Sequence, residues 1–255
     1  MKLSARERLV LALDVNNFKK AEELVDKLID YVGVFKIGNQ LFTAEGTKVI
    51  KMVQEKGGKV FLDLKFHDIP NTVARAAEVV SKLGVYIFDI HTSGGYEMMK
   101  ATVEASKKSS FALGSSKPLI LGVTLLTSIN QEILEKEIGI KKSLEEQVVH
   151  LAKLAEAAGL DGVVASSWEI KALRSACGEG FVILTPGIRP VCLCVTRRQA
   201  GKSDDDQKRI MTPQEAIKLG ADFIVIGRPI TNATNPVKAS QEILKEMEEV
   251  LKDGY

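Results

Sequence analysis

The feature that most constrains this chain is an alternation that runs its whole length. Eight short, nearly continuous apolar runs are separated by longer stretches with helical periodicity. The runs are LVLALDV (9–15), VFKIG (34–38), KVFLDLK (59–65), YIFDIHT (86–92), LILGVTLL (119–126), GVVAS (162–166), FVILTPG (181–187) and FIVIGR (223–228). They are rich in Val, Ile, Leu and Phe, as strands buried on both faces are. Between them, segments such as FKKAEELVDKLIDYV, TVARAAEVVSKLG and LEEQVVHLAKLAEAAG repeat apolar residues at three and four, often with Gly just past the last turn. Strands that alternate with helices build a parallel sheet, and eight such units are the number that closes on itself. The pattern predicts an α/β chain folded as a (β/α)8 TIM barrel, a single domain over residues 1–255. An open doubly wound sheet is the rival, and no GxGxxG follows the first strand to favour it.

Composition narrows the partners. Thirty-five Lys and Arg against thirty-three Asp and Glu leave a formal charge of +2, which argues against a wide basic surface for nucleic acid. No apolar run approaches the roughly 18 residues of a membrane-spanning helix. The opening MKLSARERLVLALDV passes from charge straight into an apolar run without a small-residue cleavage site, and three cysteines make no disulfide framework. A cytoplasmic protein is expected.

Charge within the strands points to chemistry. Asp14 is expected to end the first strand, Lys36 sits in the second, Asp63 and Lys65 end the third, and Arg228 ends the eighth. Such residues are costly in a buried strand unless paired. In a barrel of this kind the active site lies at the C-terminal ends of the strands. Asp63 and Lys65 are two apart and so share a face. Two carboxylates and two ammonium groups are expected to converge at one mouth, either as a reactive array or as an ion-pair network that caps the barrel.

The segment DLKFHDIPNT carries more. Asp63-x-Lys65-x-x-Asp68 resembles the D-x-K-x-x-D signature of the orotidine 5′-monophosphate decarboxylase suprafamily, and the continuation His67 to Thr72 resembles its decarboxylases. LALDV, FKIG, GVTLLTS, LTPGIRP and IVIGRPI extend the resemblance, in order, over nearly the whole chain.

The resemblance implies orotidine 5′-monophosphate as substrate and uridine 5′-monophosphate as product, with neither cofactor nor metal. It makes Lys65 the proton donor to C6 of the pyrimidine, sets Asp63 against the substrate carboxylate, and has Lys36 link the charges to a ribose hydroxyl. Asp14 matches a ribose-binding aspartate and Thr127 a pyrimidine-contacting Ser/Thr. Arg189, Gln207, Gly227 and Arg228 match a phosphate-binding set. Asp68, Ile69 and Thr72 match residues delivered across a homodimer interface into the partner's site. The alternatives are a magnesium-dependent sugar-phosphate lyase of the same suprafamily, resembling 3-keto-L-gulonate 6-phosphate decarboxylase, and a barrel that binds a nucleotide without catalysis. HDIPNT and the TPGIR…DQKR loop favour the first reading over the sugar-phosphate lyase. The acid–lysine array argues against a non-catalytic barrel, because it is expensive to maintain without use.

Elementary chemistry fits these roles. Loss of carbon dioxide from C6 leaves a carbanion with no carbonyl placed to delocalise it, so a fixed cation is the available stabiliser. Flanking carboxylates favour the ammonium form of a lysine that burial alone would neutralise. His67, His91 and His150 are too scattered for metal ligation. His67 is expected to orient its loop, Trp168 to pack, and the acidic run 204–206 to be solvated. A long phosphate-binding loop is expected at about 188–211, followed by a helix with Thr212 as N-cap, Pro213 at N1 and Glu215 closing a capping box. Arg189 and Gln207 lie further apart than the family spacing. The excess, 191–199, reads VCLCVTRRQ and is expected to bulge away from the substrate.

Overall fold

A computed structural model of the chain describes residues 3–190 and 211–252. Eight parallel strands form a closed barrel in sequence order: β1 (Leu9–Ala12), β2 (Val34–Gly38), β3 (Lys59–Phe66), β4 (Ile87–His91), β5 (Leu119–Val123), β6 (Gly162–Val164), β7 (Val182–Thr185) and β8 (Phe223–Ile226). Closure is made by β8 against β1, with Leu9 opposite Ile224 and Leu11 opposite Ile226.

Burial on both faces explains why the strands read as continuous apolar runs. Val10, Ala12, Phe61, Ile87, Leu121, Leu184, Phe223 and Val225 fill the barrel interior. Their neighbours Leu9, Leu11, Leu62, Phe88, Ile120, Ile183 and Ile224 pack outward, in one cluster with helical residues such as Val25, Leu28, Val73 and Ile243. A polar residue every second position would leave one of these layers with an unpaired group.

Charged staples tie the N-terminal rim. Asp161 Oδ2 accepts from the Ile120 amide at 2.7 Å and from Lys117 Nζ at 2.5 Å. Asp222 Oδ2 accepts from the Ile183 amide at 2.8 Å and from Arg174 Nη2 at 2.5 Å. Local signals at the helix starts also hold. Thr212 and Glu215 form the expected capping box with Pro213 in the first turn. A second box, Ser4 with Glu7, starts a one-turn helix, Ala5–Arg8, that the sequence reading passed over.

Several strands stop earlier than expected. β5 ends at Val123, opposite His91 of β4 and Val164 of β6, where both neighbours also end. Asp14 lies two residues past β1, and Arg228 opens a short helix, Arg228–Thr231, instead of ending β8. The residues released this way become the loops of the C-terminal mouth. Trp168, expected to pack, sits on a turn after β6 and is 61% exposed. Among the described residues no helix is long and apolar enough to cross a membrane.

The tightest backbone approach is at Gly162 of β6, where a Cβ would lie 2.1 Å from the Val182 carbonyl oxygen. Gly162→Ala should therefore destabilise the barrel by about 1–3 kcal/mol through forced separation of β6 from β7. Gly180→Ala, whose Cβ would meet nothing within 4 Å, serves as the near-neutral control. Urea midpoints of the two variants make the comparison, and equal midpoints would refute it.

Candidate active site

Parallel pairing of β2 with β3 sets Gly38 opposite Asp63 and Lys36 opposite Phe61, so Lys36 and Asp63 leave adjacent strands near the same mouth. Lys36 Nζ lies 3.0 Å from Asp63 Oδ2 and 3.2 Å from Asp14 Oδ1. Lys65 Nζ donates to the other Asp63 oxygen, Oδ1. Each oxygen of one carboxylate thus holds one ammonium group. Lys36 and Asp63 are largely buried, with side chains 11% and 12% exposed, and Lys65 stands nearer the opening at 28%.

Burial opposes charge on both partners, and pairing overcomes it. Burial alone would push the Asp63 carboxyl up, but Lys36 and Lys65 hold it below its ordinary value. Burial likewise pushes the Lys36 ammonium down, and Asp63 and Asp14 more than reverse this, raising it above its ordinary value.

The backbone at Lys65 is unusual. Its φ is +52°, the one positive value at a non-glycine residue among those described. A side chain in this left-handed region costs about 1–2 kcal/mol. The β3–β4 register shifts between Leu62 and Phe66, so the strand is irregular where the sequence reading assumed regular alternation. The Lys65 amide donates at 2.8 Å to Oδ1 of Asp89, a fully buried residue of β4. His67 is the first residue past β3, with its ring 5.3 Å from that of His91.

These groups line a cavity of about 520 Å³, which is the size of a small-molecule site. Asp14, Lys36, Asp63 and Lys65 occupy one side. Thr127 and Ser128 come from the loop after β5, Gly187 and Arg189 from the loop after β7, and Gly227 and Arg228 from the turn that follows β8 and opens the short helix. Val123, Leu125, Leu126, Val164 and Pro186 add an apolar wall. The Arg189 amide donates to the Met211 carbonyl at 2.9 Å, so the two ends of the long loop are joined.

The Orotidine 5'-phosphate decarboxylase / HUMPS family matches residues 7–243. The chain belongs to this family. An orotidine 5'-phosphate decarboxylase of Moorella thermoacetica is 48% identical over 250 residues, covering 98% of this chain and 96% of that relative. One from Syntrophotalea carbinolica is 50% identical over 255 residues and covers both chains completely. The crystal structure of orotidine 5'-phosphate decarboxylase from Lactobacillus acidophilus superposes with a TM-score of 0.80 at 38% identity, over 94% of this chain and 98% of that one.

Within this family member, eight residues singled out from sequence meet at one cavity: Asp14, Lys36, Asp63, Lys65, Thr127, Arg189, Gly227 and Arg228. Asp68, Ile69 and Thr72 do not line it. They lie exposed where β3 turns into helix Pro70–Lys82, with Asp68 Oδ1 accepting from the Ile69 amide at 2.6 Å. Gln207 and the segments 191–199 and 204–206 lie outside the described residues. The sequence reading missed Asp89, although a carboxylate in the apolar run IFDIH was a signal of the same kind as Lys36 in VFKIG.

The triad yields a signed prediction. Asp63 contributes stability above its ordinary 3.8 and loses it as the pH falls through its lowered folded value. Lys36 contributes fully below its ordinary 10.5 and loses its share as the pH rises through its raised folded value. Lys36→Met removes one of Asp63's two cations. It should cost on the order of 3 kcal/mol near neutrality and move the acid limb of unfolding to higher pH. Urea titrations across the pH range measure both, and an unshifted acid limb would refute the pairing.

Proposed function

We propose that this chain is a carboxy-lyase that converts orotidine 5′-monophosphate to uridine 5′-monophosphate in de novo pyrimidine biosynthesis, without metal or cofactor. The observation that carries this reading is the Asp63 carboxylate with an ammonium on each oxygen, at a nucleotide-sized cavity in a chain about half identical to decarboxylases.

In this reading the substrate carboxylate lies against Asp63, and the C6–carboxylate bond breaks heterolytically. Carbon dioxide leaves, the electron pair stays on C6, and Lys65 Nζ delivers a proton to it. Solvent then restores the ammonium. A cation about 4 Å from the developing carbanion, at an effective dielectric of about 20, contributes roughly 4 kcal/mol, or about three powers of ten in rate. The remainder must come from binding the rest of the substrate and closing the site around it.

Lys36 and Asp14 hold the ribose, and Thr127 contacts the pyrimidine beside the apolar wall. Arg228 and Arg189 grip the phosphate with forked donors, Gly227 admits it close to the backbone, and Gln207 is assigned to the same phosphate. The chain acts as a single-domain cytoplasmic homodimer. Asp68, Ile69 and Thr72 serve the partner's site, a reading supported by their exposure away from their own cavity. Ile69, 67% exposed, is a large apolar side chain that an interface would cover.

A metal-assisted route on a sugar phosphate is the reading to exclude by experiment. Both Asp63 oxygens are already engaged by ammonium groups, so a divalent cation would have to displace Lys36 or Lys65 to reach them. Turnover of orotidine 5′-monophosphate, followed by the pyrimidine absorbance, should survive exhaustive chelation. Activity that vanishes and returns only with magnesium would move the chain to the sugar-phosphate branch.

Site sharing has its own test. Lys65→Ala and Asp68→Ala chains should each be inactive, and mixing them should restore turnover, because a heterodimer carries one site with both lesions and one with neither. No recovery despite measured subunit exchange would overturn the shared site.

A further inference from the structure

Asp89 lies outside the cavity, on the strand behind Lys65, and none of the roles above uses it. Its residue is 0% exposed. Oδ1 accepts from the Lys65 amide at 2.8 Å, at the residue whose backbone is left-handed. Oδ2 is buried and has no hydrogen-bond donor among the described residues. The Asp63 carboxyl stands within hydrogen-bonding reach. Two carboxylates that close cannot both be ionised, and an orphaned buried oxygen is costly. One proton between them answers both problems, provided it sits on Asp89.

We infer that Asp89 is a positioning residue for the decarboxylation, held as a neutral carboxylic acid that accepts from the Lys65 amide and donates its own proton to Asp63. Asp63 already has an ammonium on each oxygen, so it is the member of the pair that stays ionised. Burial first, and the Asp63 charge second, push the Asp89 carboxyl well above the ordinary carboxylate range. The charged groups acting on Asp89 are Asp63 and Lys65, both on β3, and its register partner on β5, Leu121, is apolar. One side chain thereby fixes the backbone that aims Lys65 and the carboxylate that Lys65 pairs with. It does so without adding a second negative charge beside the substrate carboxylate.

This inference rests on the proposed decarboxylation, and the experiment separates the two. Asp89→Asn keeps an acceptor for the Lys65 amide and a donor for Asp63, both neutral. Asp89→Ala keeps neither. Asp89→Asn should retain kcat within about threefold. Asp89→Ala should lose about a hundredfold in kcat with KM little changed, because a misaimed Lys65 slows chemistry while phosphate and ribose contacts remain. Infrared spectra of the resting protein, without substrate, should contain the carbonyl stretch of a protonated carboxylic acid that Asp89→Asn removes. This signature does not depend on turnover or on the folding of the alanine variant.

Asp89→Asn as slow as Asp89→Ala would mean that a negative charge is needed and would overturn the inference. So would an unchanged kcat in a folded Asp89→Ala protein, or the absence of the infrared band. Failure of the parent protein to turn over orotidine 5′-monophosphate would refute the proposed function instead and leave the infrared result standing.

Discussion

The site depends on one carboxylate. Asp63 sits where β2 and β3 reach the barrel mouth, and it is the group that makes two poorly solvated ammonium ions tolerable. An unpaired charge at that depth would neutralise or draw in water. With Asp63 between them, Lys36 and Lys65 are paired in a partly apolar cavity, where their field is less screened than in bulk solvent. The electrostatics that stabilise the folded mouth are thus the same ones that a reaction building negative charge at carbon requires.

Geometry at Lys65 shows how the fold places such a group. A regular strand would carry the residue up the ladder with its neighbours, but the β3–β4 register breaks between Leu62 and Phe66 and the backbone turns left-handed. This local cost is held by a hydrogen bond from a fully buried acid on the next strand. Strain of this kind persists only where surrounding structure over-determines it, and here a closed barrel supplies that surrounding. The N-terminal rim, by contrast, uses its ion pairs to tie loops to strand amides, as at Asp161 and Asp222. Charges at the two ends of one barrel therefore do different work: those at the bottom satisfy backbone, while those at the top are gathered around a cavity.

The corner that leaves β3 divides its residues between two surfaces. Lys65 turns into its own cavity, while three residues later Asp68 and then Ile69 are exposed. A short motif on one loop can in this way supply two environments. The spacing of Asp63, Lys65 and Asp68 is consequently more informative than any of the three alone.

Much of this was legible in the sequence. The apolar runs pointed to a parallel sheet covered on both faces, because only such strands can omit polar alternation, and their number, eight, pointed to a closed barrel. The helix cap at Thr212 was equally plain, since capping is a local contest between a side chain and the first turn's amides. Lys36, Asp63 and Lys65 stood out because charge inside an apolar run needs an explanation. What only the tertiary structure decided was how these groups meet. Strand ends were set by neighbours: β5 ends at Val123, where β4 and β6 end beside it, and a neighbour's length is not written in the strand itself. The left-handed turn at Lys65 and its bond to Asp89 join residues 24 apart in sequence, and no local pattern encodes that contact. Sequence fixes which groups must be paired, because the cost of burying charge is a property of each residue. The choice of partner is a property of the closed barrel, and it exists only after the strands have found their register.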